Sequence, residues 1–223
     1  MIDIREQEEM LIALGNMLEK KISCYAIGGT AMMLKGIKDS TLDLDFVFDK
    51  GEDREEFIAA LRKLGAKESD VVIVYGIKEN TPIMLELGKA RFDLFTNKII
   101  TSVFSQNMKE RAKEIHEFGK NLIIMVADVH DLIIMKGVTS RQKDIDDIIT
   151  VFKKSRIGWN IILKEAEEQV KLGNEKAILS IGEKFEILRN QKIIDVPLSF
   201  LDDLFNLLRK QVKGKSKEKK KRS

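Results

Sequence analysis

Three carboxylates carry the chemistry that this sequence suggests. Asp43 and Asp45 lie in the run Leu42-Asp43-Leu44-Asp45-Phe46-Val47-Phe48. Polar and apolar residues alternate there as they do on a strand, so both carboxylates leave one face while Leu44, Phe46 and Phe48 leave the other. Strands disfavour Asp, and two like charges on one face repel unless something positive sits between them. A hard divalent cation such as Mg²⁺ is the usual remedy, because it takes carboxylate oxygens. A third acid, Asp93, sits in a second strand-like run, Arg91-Phe92-Asp93-Leu94-Phe95, and Glu86 in Leu85-Glu86-Leu87 is its rival as a third ligand. Upstream, Gly28-Gly29 follow the apolar run Tyr25-Ala26-Ile27. Glycines let a backbone approach a ligand closely, and N–H groups at a helix start form a phosphate site to which the Thr30 hydroxyl can add. Taken singly, an Asp-x-Asp pair reads as the solvated face of a half-exposed strand. Three acids on apolar strands behind a Gly-Gly turn read instead as a metal site.

The spacing carries a resemblance. Gly28-Gly29, thirteen residues, Asp43-Leu44-Asp45 and a later apolar-Asp-apolar at Asp93 resemble the signature of the DNA polymerase β-type nucleotidyltransferase superfamily. The finer pattern of Gly28-Gly29-Thr30-Ala31, Gly36, Thr41, Asp43 and Asp45 is similar to a prokaryotic branch that includes AbiEii-like nucleotidyltransferase toxins. Lys38 stands roughly where that branch often has an Arg. A second run, Asp131-Leu132-Ile133-Ile134-Met135-Lys136 followed by Arg141-Gln142-Lys143-Asp144-Ile145-Asp146-Asp147-Ile148, also looks like that branch. The resemblance spans roughly residues 20–152.

What the resemblance implies is specific. Asp93 rather than Glu86 becomes the third acid, and Asp43, Asp45 and Asp93 hold Mg²⁺, two ions in the family mechanism, with Mn²⁺ as a substitute. An NMP passes from an NTP, ATP among them, to an acceptor hydroxyl on RNA, a protein or a small molecule. Gly28, Gly29 and Thr30 cradle the phosphates, with positive charge added by Lys136 and Lys38. A toxin of this kind would have an antitoxin partner. The implied fold is α/β (α+β), a nucleotidyltransferase fold with a small mixed sheet flanked by helices and followed by a helical bundle.

The elements that must position these residues can be read from periodicity. Residues 3–20 carry Ile4, Met10, Leu11, Leu14, Met17 and Leu18 at helical spacing, and residues 22–27 read as a buried strand. A short helix is expected over 31–35, and another runs from Glu52-Asp53 through Phe57, Ile58, Leu61 and Leu64 to a cap at Gly65. Residues 69–75, with Val71-Val72-Ile73-Val74, read as a strand, as do 82–87 and 90–95, and residues 100–113 look helical. Residues 114–118 and 122–126 pair as a hairpin through Gly119-Lys120-Asn121, with His116 a surface residue. Asp128 caps a helix over 129–137 that ends in Lys136, and Ser140 caps the next. Apart from a nucleotide contact, Lys136 reads as a residue snorkelling at a helix C-terminus, where its charge is favoured. Beyond Trp159 the pattern is helical throughout, with three helices of about fifteen residues forming a small bundle. Trp159 and Phe185 read as its core.

These readings divide the chain into an α/β domain over 1–127, a helical domain over 128–212 and a disordered basic tail over 213–223. The tail holds six Lys and Arg222 against Glu218, a net +6 that conceals a body of −3 within the chain's overall +3. It reads either as a solubilising terminus or as an arm for RNA or another polyanion. A single cysteine, Cys24, excludes a disulfide framework and a thiol metal site and fits a reducing cytoplasm. No run approaches the roughly 18 apolar residues of a membrane helix, and the acidic N-terminus has no secretory pattern. Two other readings of the chain remain open: a catalytically silent nucleotide-binding protein, and an RNA-binding protein that uses the tail and the helices.

Overall fold

The computed structural model describes residues 1–139 and 141–210. The chain divides into two compact units, Met1–Asp128 and Val129–Ser223.

The first unit is built on a seven-stranded mixed sheet. In chain order it comprises β1 (Ile2–Asp3), α1 (Ile4–Met17), β2 (Ile22–Ala26), α2 (Gly28–Leu34), β3 (Ser40–Thr41), β4 (Asp43–Val47), α3 (Gly51–Lys63) and β5 (Lys67–Glu68). Then follow α4 (Val71–Tyr75), β6 (Ile83–Leu87), β7 (Ala90–Phe95), β8 (Lys98–Ile99), β9 (Ser102–Val103), α5 (Gln106–Arg111), β10 (Glu114–Phe118) and β11 (Leu122–Val126). The large sheet runs β10-β11-β2-β4-β7-β6-β5, while β1–β3 and β8–β9 pair separately. The β4–β7 and β11–β2 pairs are parallel, and the others in the large sheet are antiparallel. This is the mixed α/β arrangement, a mixed sheet flanked by helices, that the resemblance implied.

Local rules explain most of the elements. Asp3 starts α1 with a reciprocal capping box, its carboxylate accepting from the Glu6 N–H at 2.9 Å while Glu6 accepts from the Asp3 N–H at 3.0 Å. The Leu11 and Leu14 stripe of α1 is fully buried. On one face of the central strands, Phe57 from α3 packs against Phe46, Phe48 and Phe92, with ring centroids 5.4, 5.2 and 6.4 Å away. All four rings are inaccessible to solvent, so that face is committed to the core and leaves the other for the acids.

Two expectations are corrected. Residues 69–75 do not form a strand. Their centre is the short helix α4, capped by Asp70, whose carboxylate accepts from the Val72 N–H at 2.9 Å. The sheet edge here is taken by β5 against β6. The β-branched residues that follow find no ladder, and the local Asp cap prevails over their strand preference. Residues 100–113 are helical only over α5, which Ser105 caps by accepting from the Met108 N–H at 3.1 Å. Before it the chain makes the β8–β9 pair, turning at Ile100 with a φ of 51°.

The second unit is helical: α6 (Val129–Gly137), α7 (Gln142–Lys154), α8 (Trp159–Lys171), α9 (Glu175–Asn190) and α10 (Leu198–Lys221). Within it α10 packs on α8 and α9, and α6 packs on α7, α8 and α9. Trp159 is ringed by Phe152, Phe185 and Phe200 at 5.2, 5.6 and 4.8 Å. Phe185 is buried core, as expected, whereas Trp159 packs in the same aromatic cluster while only half-buried. The expected cap at Ser140 and the expected disordered tail over 213–223 lie outside the described residues. Among the described residues no helix is long and apolar enough to cross a membrane.

Candidate active site

Strand register assembles the acids. In the parallel β4–β7 pair, Asp43 stands opposite Arg91 and Asp45 opposite Asp93. Because side chains alternate along both strands, these four charged groups share the face turned away from Phe57. One carboxylate oxygen from each of Asp43, Asp45 and Asp93 lies within 4.8 Å of the others. Asp43 and Asp45 are half-buried, whereas Asp93 is fully enclosed. Glu86, the alternative third ligand, is exposed on β6 and accepts from the Ser69 hydroxyl at 2.8 Å, outside this group.

The turn before α2 is fitted to the acid strand. Gly28 has a φ of +55°, and a Cβ there would lie 2.3 Å from Asp45 Oδ2. A Cβ on Gly29 would lie 2.2 Å from Thr41 Oγ1. The two glycines are therefore demanded by the approach of this turn to β3 and β4, and Gly28 by its left-handed backbone as well. Thr30, fully buried, accepts from the Asp45 N–H at 2.8 Å, and Ile27 donates its N–H to the Asp45 carbonyl at 3.1 Å. Thr30 thus fixes the strand position of Asp45. Lys38 is half-buried past the end of α2, where its N–H donates to the Met32 carbonyl.

Two residues that the sequence reading did not assign to the site complete it. Arg91 donates from Nε to Asp93 Oδ1 at 2.9 Å, and from one terminal nitrogen to Asp93 Oδ2 at 2.9 Å and to Asp43 Oδ2 at 2.5 Å. A guanidinium thereby bridges two of the three acids. The Tyr75 hydroxyl donates to Asp93 Oδ2 at 2.5 Å. Burial pushes the Asp93 carboxyl up from its ordinary value against the pull of Arg91 and Tyr75, with Asp43 adding to the rise. The Tyr75 phenol is pushed up by burial and by the charges of Asp45 and Asp93. Burial would lower the Arg91 guanidinium, but its bonds to Asp93 and the charges of Asp93 and Asp43 hold it above its usual range. Arg91 was legible in principle, since it lies two residues before Asp93 on the same strand face. Tyr75 carried no such signal, because its segment imitates a strand.

Lys136 lies in the helical unit, in the last turn of α6, and is buried. Its ammonium donates to Asp147 Oδ2 at 2.6 Å and to Asp144 Oδ1 at 3.3 Å, both on α7. Arg141 donates from Nε to the other Asp144 oxygen at 2.7 Å, and the Thr139 hydroxyl donates to that same oxygen. The second sequence run therefore forms a buried ionic cluster that ties α6 to α7.

The family model described as "Nucleotidyltransferase of unknown function (DUF6036)" matches residues 4–189. Among solved structures, the chain is similar to ANT(2")-Ia in complex with adenylyl-2"-tobramycin, at 16% identity and a TM-score of 0.44, over 80% of this chain and 94% of that one. It is also similar to a protein from H. pylori described as a nucleotidyltransferase, at 14% identity and a TM-score of 0.37, over 95% of each chain. No curated protein matches.

Proposed function

This chain belongs to the nucleotidyltransferase family of unknown function whose model it matches over residues 4–189, and from that membership we propose that it transfers an NMP from an NTP to an acceptor hydroxyl in a reaction dependent on Mg²⁺. The observation that carries this reading is the convergence of Asp43, Asp45 and Asp93 within 4.8 Å on two adjacent parallel strands. The donor set fits a hard cation, since each ligand atom is a carboxylate oxygen, which suits Mg²⁺ or Mn²⁺. The fit also has a stand-in, because a cationic guanidinium already bridges Asp43 and Asp93.

Asp43, Asp45 and Asp93 would hold the metal, one ion or the two of the family mechanism. When bound, the metal supplies Lewis acidity to the acceptor hydroxyl and charge neutralisation to the triphosphate. The chain's own contribution is positioning. Thr30 and Ile27 hold Asp45 in place through its backbone. The Gly28-Gly29 turn brings bare backbone against the acid strand, where its N–H groups would meet the phosphates, and Lys38, just beyond α2, would add positive charge. Little covalent chemistry falls to the protein, so positioning and charge account for most of the rate. The resemblance to AbiEii-like toxins makes RNA or protein acceptors, and an antitoxin partner, one branch of this reading, and small-molecule acceptors the other.

Transfer is tested by incubating the chain with Mg²⁺ and each α-labelled NTP in turn, in the presence of total tRNA, a protein extract or a small-molecule pool. Label should enter one acceptor class and vanish in the Asp43→Asn/Asp45→Asn double variant. A well-folded double variant that keeps full activity overturns the assignment. The Arg91 bridge favours a second reading, a silent nucleotide-binding module in which a side chain has replaced the metal. Mg²⁺-dependent turnover by the wild type would exclude it.

A further inference from the structure

The segment that carries Tyr75 belongs to no layer of the sheet. α4 has no buried residue, and Ile73 and Ile77 are 83% and 98% exposed beside Val72 and Val74. Such a segment, with few buried contacts, opens at low cost. Tyr75 is the part of it that reaches inward. Its ring meets Phe95 edge-on, with centroids 6.5 Å apart, and its hydroxyl donates to Asp93. This is a hydroxyl already bonded to a carboxylate that can take its proton, within the group of acids to which the proposed transfer is assigned.

We propose that Tyr75 is itself an acceptor, so that the chain nucleotidylates its own phenol. The inference rests on the transferase reading. In the step, Tyr75 Oη attacks the α-phosphorus of a bound NTP. The bond from that phosphorus to the α,β-bridging oxygen breaks, pyrophosphate leaves, and the phenolic proton passes to Asp93 and then to solvent. The product is a tyrosine joined to the nucleoside by a phosphodiester.

Position singles out Tyr75 among the neighbouring hydroxyls. Thr30 is fully buried and already bonded to the Asp45 backbone. Thr41 also donates to one of the acids, Asp43 Oδ1, at 3.4 Å, but it is buried beneath Gly29. Tyr25 donates to Asp49, away from the three acids. Tyr75 alone of these four couples a bond to one of the acids with a position on an exposed segment that can yield to an incoming triphosphate. Holding the nucleophile in the site converts an encounter into an intramolecular step, for which effective concentrations are high. The modified phenol would then cap the acids, so self-modification limits transfer to other acceptors.

The test uses the full chain with Mg²⁺ and each NTP, followed by intact mass and peptide mapping, with pyrophosphate release recorded in parallel with the acceptor mixtures. The chain has two tyrosines, so the site is assigned directly in the wild type. The expected result is one NMP per chain on Tyr75, absent in Tyr75→Phe and in Asp45→Asn and retained in Tyr25→Phe. Its first-order rate should be independent of protein concentration. Pyrophosphate release without modification of Tyr75 overturns this inference and leaves the transferase reading standing. Neither pyrophosphate nor modification with any NTP overturns both. A rate proportional to protein concentration overturns transfer within one chain.

Discussion

Replacing Lys136 with Met separates the two roles that its sequence context allows. The side chain is 8% exposed, and its partners Asp144 and Asp147 are 1% and 7% exposed. Removing one partner of a buried ion pair typically costs about 3–5 kcal/mol, because a charge is left enclosed without its counter-ion. Asp144 keeps Arg141 and Thr139, which places the expected loss near the lower end, about 3 kcal/mol. With a urea m-value of about 1–3 kcal/mol/M, that loss lowers the unfolding midpoint by roughly 1–3 M. The fluorescence of Trp159, the one tryptophan of the chain, reports this unit from within its aromatic cluster. The loss should shrink sharply when Asp147→Asn is already present, since the two residues then no longer contribute independently. A Lys136→Met protein with an unchanged midpoint and weakened NTP binding would refute this reasoning and favour the nucleotide contact that the sequence resemblance implies.

Three further outcomes are expected. Gly28→Ala forces a side chain into a left-handed backbone, costing about 1–2 kcal/mol, and drives its Cβ onto Asp45 Oδ2; isothermal calorimetry should show weakened Mg²⁺ binding, and unaltered binding would dissociate the turn from the metal site. Arg91→Met removes the cation that bridges Asp43 and Asp93, so the variant should be less stable without metal and gain more in melting temperature on adding Mg²⁺ than the wild type does; an equal gain would mean that Arg91 and the metal do not compete. At Asp144, burial alone would raise the pKa, but Lys136, Thr139 and Arg141 together hold it below its ordinary 3.8. A depressed folded-state value stabilises above the unfolded pKa and is lost as pH falls through the folded one, so the Trp159-reported unfolding midpoint should fall below about pH 4 and should fall less in Asp144→Asn.

The acids were legible because strand chemistry makes them conspicuous. Aspartates on Leu44-Phe46 and Phe92-Leu94 strands violate a local preference, and such violations gather at functional sites. What the sequence could not supply was the register that sets Asp45 beside Asp93 and Arg91 beside Asp43. Register is a property of strand pairing, and the sequence interval between β4 and β7 holds α3, β5, α4 and β6. Arg91 therefore read as a neighbour of the site when it is the cation within it. Tyr75 was hidden for a different reason. Val71-Val72-Ile73-Val74 has strand composition, but a strand needs a partner edge, and here β5 has already taken the edge of β6. One carboxylate, that of Asp70, is enough to start a helical turn, and the same turn leaves Val72, Ile73 and Val74 exposed and aims the phenol at Asp93. A segment that contradicts its own propensity, exposes most of its apolar residues and turns its phenol onto a buried carboxylate is not explained by the burial of apolar surface. That conflict between local preference and placement is the physical ground for assigning Tyr75 a chemical role rather than a structural one.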